Sequence, residues 1–366
     1  MPHLVAIDLP GGQEFVDALR REWDAGNAVL PIDRRLPPRA RASLLHTLAP
    51  DRLLDSDGRH HLEGRGVEAG DALVVATSGA TGAAKGVVLT HDAVRASAIA
   101  TSARLGITAA DTWLGCLPLA HIGGLSVITR ALQLNVRLVV HDGFDADRVQ
   151  QAARDGATAV SLVATALQRI DPSLFRVIVL GGSRPPAELP ANVHTTYGLT
   201  ETGSGVVYDG LPLDGVEVAI TPTSEILLRG PMLLRCYRDG SSPIDRDGWL
   251  HTGDLGTLHS DGRLSVQGRA DDLIITGGEN VWPDVVEAVI ATHAAVREVA
   301  VAGAPDAEWG QRVVAWIVPS GAPPSLAELR NHVLASLPNF CVPKEIRIAE
   351  ALPRTSLGKL QRHLLQ

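Results

Sequence analysis

Short apolar runs alternate with segments of helical period between residues 72 and 180. Residues 72–76, 113–117, 136–140, 159–163 and 177–180 read as buried strands, and 92–104, 125–134 and 146–154 as helices. That alternation predicts a parallel sheet covered on both faces. Between 216 and 266 the pattern changes to short strands separated by turns, among them Asp247-Gly248 and Asp261-Gly262, which predicts an antiparallel subdomain. After Gly268 the chain restarts with Leu273-Ile-Ile, a helix near 283–292, strands at 298–302 and 313–318, a helix near 326–337 and a strand at 345–348. The expected fold class is α/β. A large N-terminal domain (1–270) would hold mixed, mainly parallel sheets covered by helices plus a small antiparallel β subdomain. A small α+β C-terminal domain (271–366) would follow, with the boundary at Gly268–Asp272.

With 366 residues, 45% of them hydrophobic, the chain has ample material for two cores. A net charge of −8 argues against nonspecific nucleic-acid binding, which needs a basic face. Cys116, Cys236 and Cys341 have no metal-type spacing and cannot all pair with one another, so reduced thiols in the cytoplasm are the simplest account. The start shows no basic segment leading into an apolar one, and no apolar run is long enough to cross a bilayer. The expectation is a soluble cytoplasmic protein without membrane insertion. Oligomeric state is left open, a homodimer included.

Thr77-Ser-Gly-Ala-Thr-Gly-Ala-Ala-Lys-Gly86 follows the first buried run and precedes a predicted helix at 91–104. Its glycines let several backbone N–H groups converge on phosphate oxygens, hydroxyls of Thr77, Ser78 and Thr81 add donors, and Lys85 adds a mobile charge. The stretch lacks the Gly-Lys-Ser/Thr ending of a Walker loop, so alone it is an ordinary loop between strand and helix. Tyr197-Gly-Leu-Thr-Glu-Thr-Gly203 offers an aromatic ring for a base, a hydroxyl for a phosphate and a carboxylate for Mg²⁺. Gly248-Trp-Leu-His-Thr-Gly-Asp254 presents a carboxylate after a tight turn, suited to adjacent ribose hydroxyls. Gly268-Arg-Ala-Asp-Asp272 supplies a cation and two acids at the expected boundary, and Pro353-Arg-Thr-Ser-Leu-Gly-Lys-Leu-Gln-Arg362 puts Lys359 on a loop near the end of the chain.

Taken together and in this order, the five segments resemble the signatures of the adenylate-forming superfamily of acyl- and aryl-CoA ligases, luciferases and peptide-synthetase adenylation domains. The resemblance covers roughly residues 70–366. It implies that Thr77, Ser78, Gly79, Thr81, Gly82 and Lys85 hold the ATP phosphates, although Ala80 and Ala84 stand where the family usually has Ser or Thr and Pro. It implies base stacking by Tyr197 beside Gly198, phosphate binding by Thr200, Mg²⁺ binding by Glu201 and ribose binding by Asp254 and Arg269. Gly181, Gly182 and Ser183 would pass between adenine and the acyl pocket. Asp271 would be the hinge, Lys359 the lysine that drives adenylation, and Gly277 and Gly278 would line the CoA channel after the small domain rotates.

Leu117-Pro-Leu-Ala-His-Ile-Gly-Gly-Leu125 resembles one wall of the acyl pocket, with His121 as its gate and Gly123 among the acyl-substrate residues. Gly123, Val127 and Arg130 share a helix face. By pattern alone, Arg130 either snorkels to solvent or meets a buried anion, and snorkelling is the commoner outcome. The short chain, the His-Ile-Gly-Gly segment and residues 205–215 resemble the o-succinylbenzoate–CoA ligases of menaquinone biosynthesis, in their short actinobacterial form. That resemblance implies that Arg130 holds the benzoate carboxylate of a dicarboxylic acid substrate, with ATP and CoA as co-substrates. The first 70 residues match poorly and read as a reduced subdomain. A CoA ligase for another aryl or fatty acid, a stand-alone domain loading a carrier protein, and an inactive nucleotide-binding homologue remain as alternatives.

Overall fold

The structure, a computed structural model, describes residues 1–366 apart from 79–83, 183–184, 187, 355–359 and 366, and the side chains of Ser78 and Ala84 also lie outside the description. The chain opens with β1 (Leu4–Ile7), α1 (Gln13–Asp24), β2 (Ala28–Pro31), α2 (Pro38–Leu48), β3 (Arg52–Asp55) and β4 (Gly58–His61). It continues through β5 (Asp71–Ser78), β6 (Ala84–Thr90) and α3 (His91–Arg104). Next come β7 (Thr112–Gly115), α4 (Ile122–Leu134), β8 (Arg137–Val140), α5 (Ala146–Arg154), β9 (Ala159–Leu162), α6 (Ala164–Leu167) and β10 (Val177–Leu180). Then follow β11 (Val193–Leu199), β12 (Ser204–Tyr208), β13 (Leu211–Pro212), β14 (Glu217–Ile220), β15 (Glu225–Arg229), β16 (Cys236–Tyr237), β17 (Leu250–Leu258) and β18 (Leu264–Arg269). The last stretch comprises β19 (Ile274–Thr276), β20 (Glu279–Val281), α7 (Pro283–Ile290), β21 (Val296–Asp306), β22 (Gly310–Pro319), α8 (Leu326–Leu334) and β23 (Glu345–Ile348).

Two seven-stranded sheets carry the large part of the fold, in the orders β16-β6-β5-β2-β1-β3-β4 and β13-β12-β11-β10-β9-β7-β8. In the second sheet β8, β7, β9, β10 and β11 run parallel, and β12 and β13 close one edge antiparallel. The parallel strands are short and apolar because helices cover the sheet: Leu114, Val160, Leu162, Ile178 and Leu180 are buried in one cluster with Val149 of α5 and Leu167 of α6. The first 70 residues, for which the pattern predicted no elements, build β1 to β4 and extend the first sheet, with β2 parallel to β5 through Val29 and Leu73. Their core joins Leu4, Leu30, Leu44 and Leu48 to Val74 and Val88.

The expected antiparallel region is a four-stranded sheet, β14-β15-β17-β18. The C-terminal sheet follows the order β20-β19-β22-β21 with β23 parallel to β22. Its strands expected at 298–302 and 313–318 are longer, because β21 and β22 pair as one hairpin out to Asp306 and Gly310. By packing, the residues form two compact units: Met1–Ile220, Leu227–Thr252 and Leu258–Ser265 in one, and Thr221–Ile226, Gly253–Thr257 and Val266–Gln366 in the other. No helix among the described residues is long and apolar enough to cross a membrane.

One expectation needs correction. The Gly/Thr-rich stretch does not lead from a strand into a helix. Val87, Val88 and Leu89 are almost fully buried and belong to β6, which pairs antiparallel with β5, so a strand stands between residues 79–83 and α3, which begins only at His91.

Candidate active site

In the hairpin, Thr77 lies opposite Lys85 and Ser78 opposite Ala84. Gly79, Thr81 and Gly82 lie outside the described residues. The Thr77 hydroxyl donates to the Lys85 carbonyl at 3.4 Å. Lys85 is exposed, and its ammonium sits 4.7 Å from the ring centroid of Tyr237. Tyr237 belongs to β16, which joins the sheet by pairing with Val87 of β6.

Gly181 and Gly182 follow β10, while Ser183 lies outside the described residues. Tyr197 and Gly198 lie on the adjacent strand β11. A Cβ on Gly198 would fall 2.2 Å from the Ser204 carbonyl oxygen, so the close approach of β11 and β12 admits no side chain there. Thr200-Glu201-Thr202 forms a single 3₁₀ turn. The Thr202 hydroxyl accepts from the Leu199 N–H at 2.9 Å and donates to the Ser204 carbonyl at 2.6 Å, which closes the turn on itself. Glu201 Oε1 accepts from the Tyr237 hydroxyl at 2.9 Å, and the Glu201 carbonyl accepts from the Leu234 N–H at 2.7 Å. No group of three or more His, Cys, Asp or Glu able to hold a metal occurs among the described residues. A lone carboxylate suits Mg²⁺, which usually keeps its waters and binds through one or two carboxylates plus substrate phosphates.

His121 stands at the N-cap of α4. Its Nε2 lies 3.2 Å from Asp33 Oδ2 and 3.4 Å from Arg35 Nη2. Arg35 also grips Asp33 through two bonds of 2.8 Å. Burial lowers the His121 pKa below its ordinary 6.5, the Asp33 hydrogen bond and charge oppose that shift, and Arg35 adds to it. Gly123 occupies the first turn of the same helix, where an added Cβ would touch only Leu117.

Arg130 does not snorkel. It is 2% exposed, donates through Nη2 to the Ser204 hydroxyl, and lies 5.6 Å from the ring centroid of Trp113. Nε and Nη1 of Arg130 and Nε1 of Trp113 are buried donors without a hydrogen-bond partner among the described residues. An orphaned donor in a low-dielectric site costs about 1–3 kcal/mol, more when charged, so this cluster favours an incoming anion.

In the second unit, Arg269 Nη1 donates to Asp254 Oδ1 at 3.2 Å. The guanidinium lies against Gly253, where a φ of +68° strains any side chain and a Cβ would come within 3.0 Å of Arg269 Nη2. Asp254 is 7% exposed, whereas the side chain of Asp271 is 80% exposed and approaches Arg269 only to 4.0 Å. Its neighbour Asp272 accepts from Arg362 at 3.3 Å. Gly277 and Gly278 form the β19–β20 turn with φ of +60° and +85°, and a Cβ on Gly277 would lie 2.6 Å from the Trp309 ring. Lys359 lies outside the described residues; on either side of them Arg354 and Leu360 form a bridge, and Arg362 donates twice to Glu287.

Residues 63–238 match the AMP-binding enzyme family, and residues 285–359 match the AMP-binding enzyme C-terminal domain. A relative in Mycobacterium tuberculosis (strain ATCC 25618 / H37Rv), named probable 2-succinylbenzoate–CoA ligase, is 42% identical over 321 residues, covering 80% of this chain and 83% of the relative. The chain belongs to the AMP-binding enzyme family. Among solved structures of the family, the o-succinylbenzoate CoA synthetase of Bacillus subtilis in complex with the acyl-adenylate intermediate has a TM-score of 0.89 at 30% identity, covering all of this chain and 88% of that one. The same synthetase in complex with ATP and magnesium ion has a TM-score of 0.88 at 31% identity, covering 99% of this chain and 89% of that one.

Within this AMP-binding enzyme, the structure adds residues that the sequence reading missed. Asp33 and Arg35 come from the N-terminal part that resembled the family least, and only the fold carries them to His121, 88 positions along the chain from Asp33. Tyr237 falls between the motifs. Its one sequence signal is that the chain has only three tyrosines, two of which already lie in segments that carry the resemblance. Trp113 and Ser204 gave no signal beyond a strand and a turn.

The His121 environment makes a pH prediction. In NMR with ¹³C-labelled histidine, His121 should titrate below 6.5, and Asp33→Asn should lower it further by removing the group that opposes burial. Folding stability from the neutral ring is full above pH 6.5 and declines as pH falls through the lower folded value. An unchanged or higher value in Asp33→Asn would show that Asp33 does not act on the ring.

Proposed function

We propose that the chain is an acid–thiol ligase that adenylates 2-succinylbenzoate with ATP and passes the acyl group to CoA, a step of menaquinone biosynthesis. The Arg130 cluster supports this choice of acid: three buried donors without an acceptor among the described residues suit the second carboxylate of a dicarboxylic substrate, which would otherwise be buried unpaired. The names of the relatives point the same way.

In the first half-reaction the succinyl carboxylate attacks the α-phosphorus, a P–O bond to the acyl oxygen forms, and pyrophosphate leaves. Charge grows on the phosphoryl and bridging oxygens, and Lys85, Thr77, Ser78 and Thr200 would meet it, with Lys359 acting at the leaving pyrophosphate. Mg²⁺, held by Glu201, supplies charge neutralisation at the phosphates when bound. Tyr197 beside Gly181 and Gly182 would receive the base. Asp254 would accept the ribose hydroxyls, with Arg269 fixing its carboxylate. In the second half-reaction the CoA thiol attacks the acyl carbon, the thioester forms and AMP leaves with the acyl oxygen. For this step we propose that Gly277 and Gly278 admit the thiol arm, with Asp271 as the hinge. The exposure of Asp271 beside a tethered Asp272 supports that assignment.

The direct test is an acid panel in ATP–pyrophosphate exchange, followed by CoA as acceptor. Exchange should require 2-succinylbenzoate and Mg²⁺, and the full reaction should release AMP and pyrophosphate. ADP with orthophosphate as products would refute the mechanism.

Arg130→Ala should raise the apparent KM for 2-succinylbenzoate by about ten- to a hundredfold, the worth of a charge-assisted bond to a buried carboxylate, with far less effect on that for ATP. An unchanged KM would remove Arg130 from the acid pocket.

Lys359→Ala should slow adenylation by ~10²–10³-fold while presynthesised acyl-adenylate still reacts with CoA at near-normal rate. Asp271→Pro, with φ fixed near −65°, should do the reverse. Equal loss of both half-reactions in both variants would sink the hinge assignment.

A further inference from the structure

Glu201 and Lys85 have opposite charges and reach the same side chain, yet form no ion pair with one another among the described residues. Tyr237 stands between them. Its hydroxyl donates to Glu201 Oε1 at 2.9 Å, and its ring carries the Lys85 ammonium 4.7 Å from the centroid. A cation over an aromatic face is held by the ring quadrupole without using up a carboxylate. The phenol bond occupies one carboxylate oxygen, Oε1, and not the other.

The backbone around Tyr237 is tied to both partners. The Arg235 N–H donates to the Val88 carbonyl at 2.9 Å and the Arg238 N–H to the Gly86 carbonyl at 2.7 Å, so the segment follows the strand of Lys85. The Leu234 N–H donates to the Glu201 carbonyl at 2.7 Å, so the same segment is joined to the metal-binding turn. The Tyr237 N–H donates to Ser241, and its carbonyl accepts from Gly240. Side chains alternate along a strand, so while Tyr237 faces the site, Arg238 faces away and donates to the carbonyls of Leu48, Gly66, Ala49 and Arg65. That anchor gives the Tyr237 ring a fixed base.

We propose that Tyr237 is a positioning residue that keeps Lys85 and Glu201 apart, seating the cation for the phosphates and aiming the carboxylate for the metal. Without it, the two side chains would close into an ion pair and each would lose the group it is meant to meet. The proposal rests on the reading that Glu201 takes Mg²⁺ and Lys85 the ATP phosphates.

The test is calorimetric titration of the full-length protein with ATP, in Mg²⁺ and in EDTA, with no acid present. Tyr237→Phe keeps the ring and should weaken binding about three- to tenfold in Mg²⁺ while leaving binding in EDTA unchanged, as expected for one hydrogen bond to a charged group. Tyr237→Leu should weaken binding in both buffers, because Lys85 then pairs with Glu201. Adding Glu201→Gln to Tyr237→Leu should restore binding in EDTA, since no carboxylate remains to capture the lysine. A merely structural role for Tyr237 would leave the double variant as weak as Tyr237→Leu, and that result overturns the proposal. Thermal melts of each variant identify any loss due to unfolding, in which case Tyr237→Phe alone decides, and parallel weakening in both buffers would count against the proposal. Glu201→Gln alone separates the two levels. If it leaves the Mg²⁺ dependence intact, the reading of Glu201 fails and the proposal with it. If it abolishes that dependence while Tyr237→Phe matches the unmodified protein, only the role of Tyr237 fails.

Discussion

The half-buried guanidinium of Arg238 is the constraint on which the β16 edge of the first sheet depends. It donates to four backbone carbonyls from residues 48–66, which ties the N-terminal segment to the short strand β16. Burial lowers its pKa to about 10, so the group is still a cation at neutral pH. A desolvated charge is tolerable only when its donors are met, and here backbone oxygens meet them without any acid. Because β16 is held in this way, β6 has a neighbour at its edge, and the residue before Arg238 is presented to Lys85 and Glu201.

The site itself is organised around polar groups the fold leaves incompletely answered. Lys85 rests on a ring, Glu201 accepts from a phenol, and Arg130 with Trp113 keeps buried donors without acceptors among the described residues. The buried donors of Arg130 and Trp113 cost stability in the absence of ligand. In return, each group stands ready for a ligand of the opposite charge, so binding recovers the missing interaction. His121 differs: Asp33 and Arg35 already hold its ring in a fixed orientation.

The C-terminal unit follows a similar logic with other means. Arg362 donates to both oxygens of Glu287, to Asp272 and to the Val301 carbonyl, so the chain beyond residue 359 is fastened to α7, β21 and the segment after β18. Burial raises the Glu287 pKa, and Arg362 opposes the shift, so this acid depends on its partner. At the other turn, Gly277 lies against Trp309, where any side chain would have to displace an indole.

The sequence alone determined most of the element order after residue 70, because buried parallel strands and amphipathic helices have different apolar periods. It also marked the residues whose chemistry is local to a motif. Of the 33 basic residues only three are lysines, at 85, 344 and 359, and two of those stand in motifs. Tertiary structure decided what period and motif cannot carry. Whether a strand or a helix follows the glycine-rich stretch depended on β6 pairing with β5 beside it and with β16, about 150 positions along the chain. Whether Arg130 reached solvent or stayed buried depended on Ser204, 74 positions away. The partners of His121, and the tyrosine between Lys85 and Glu201, were likewise set by side chains meeting across strands. A local pattern reports which face of an element is apolar. It holds no information about which distant polar group that face will meet, and in this protein those meetings define the site.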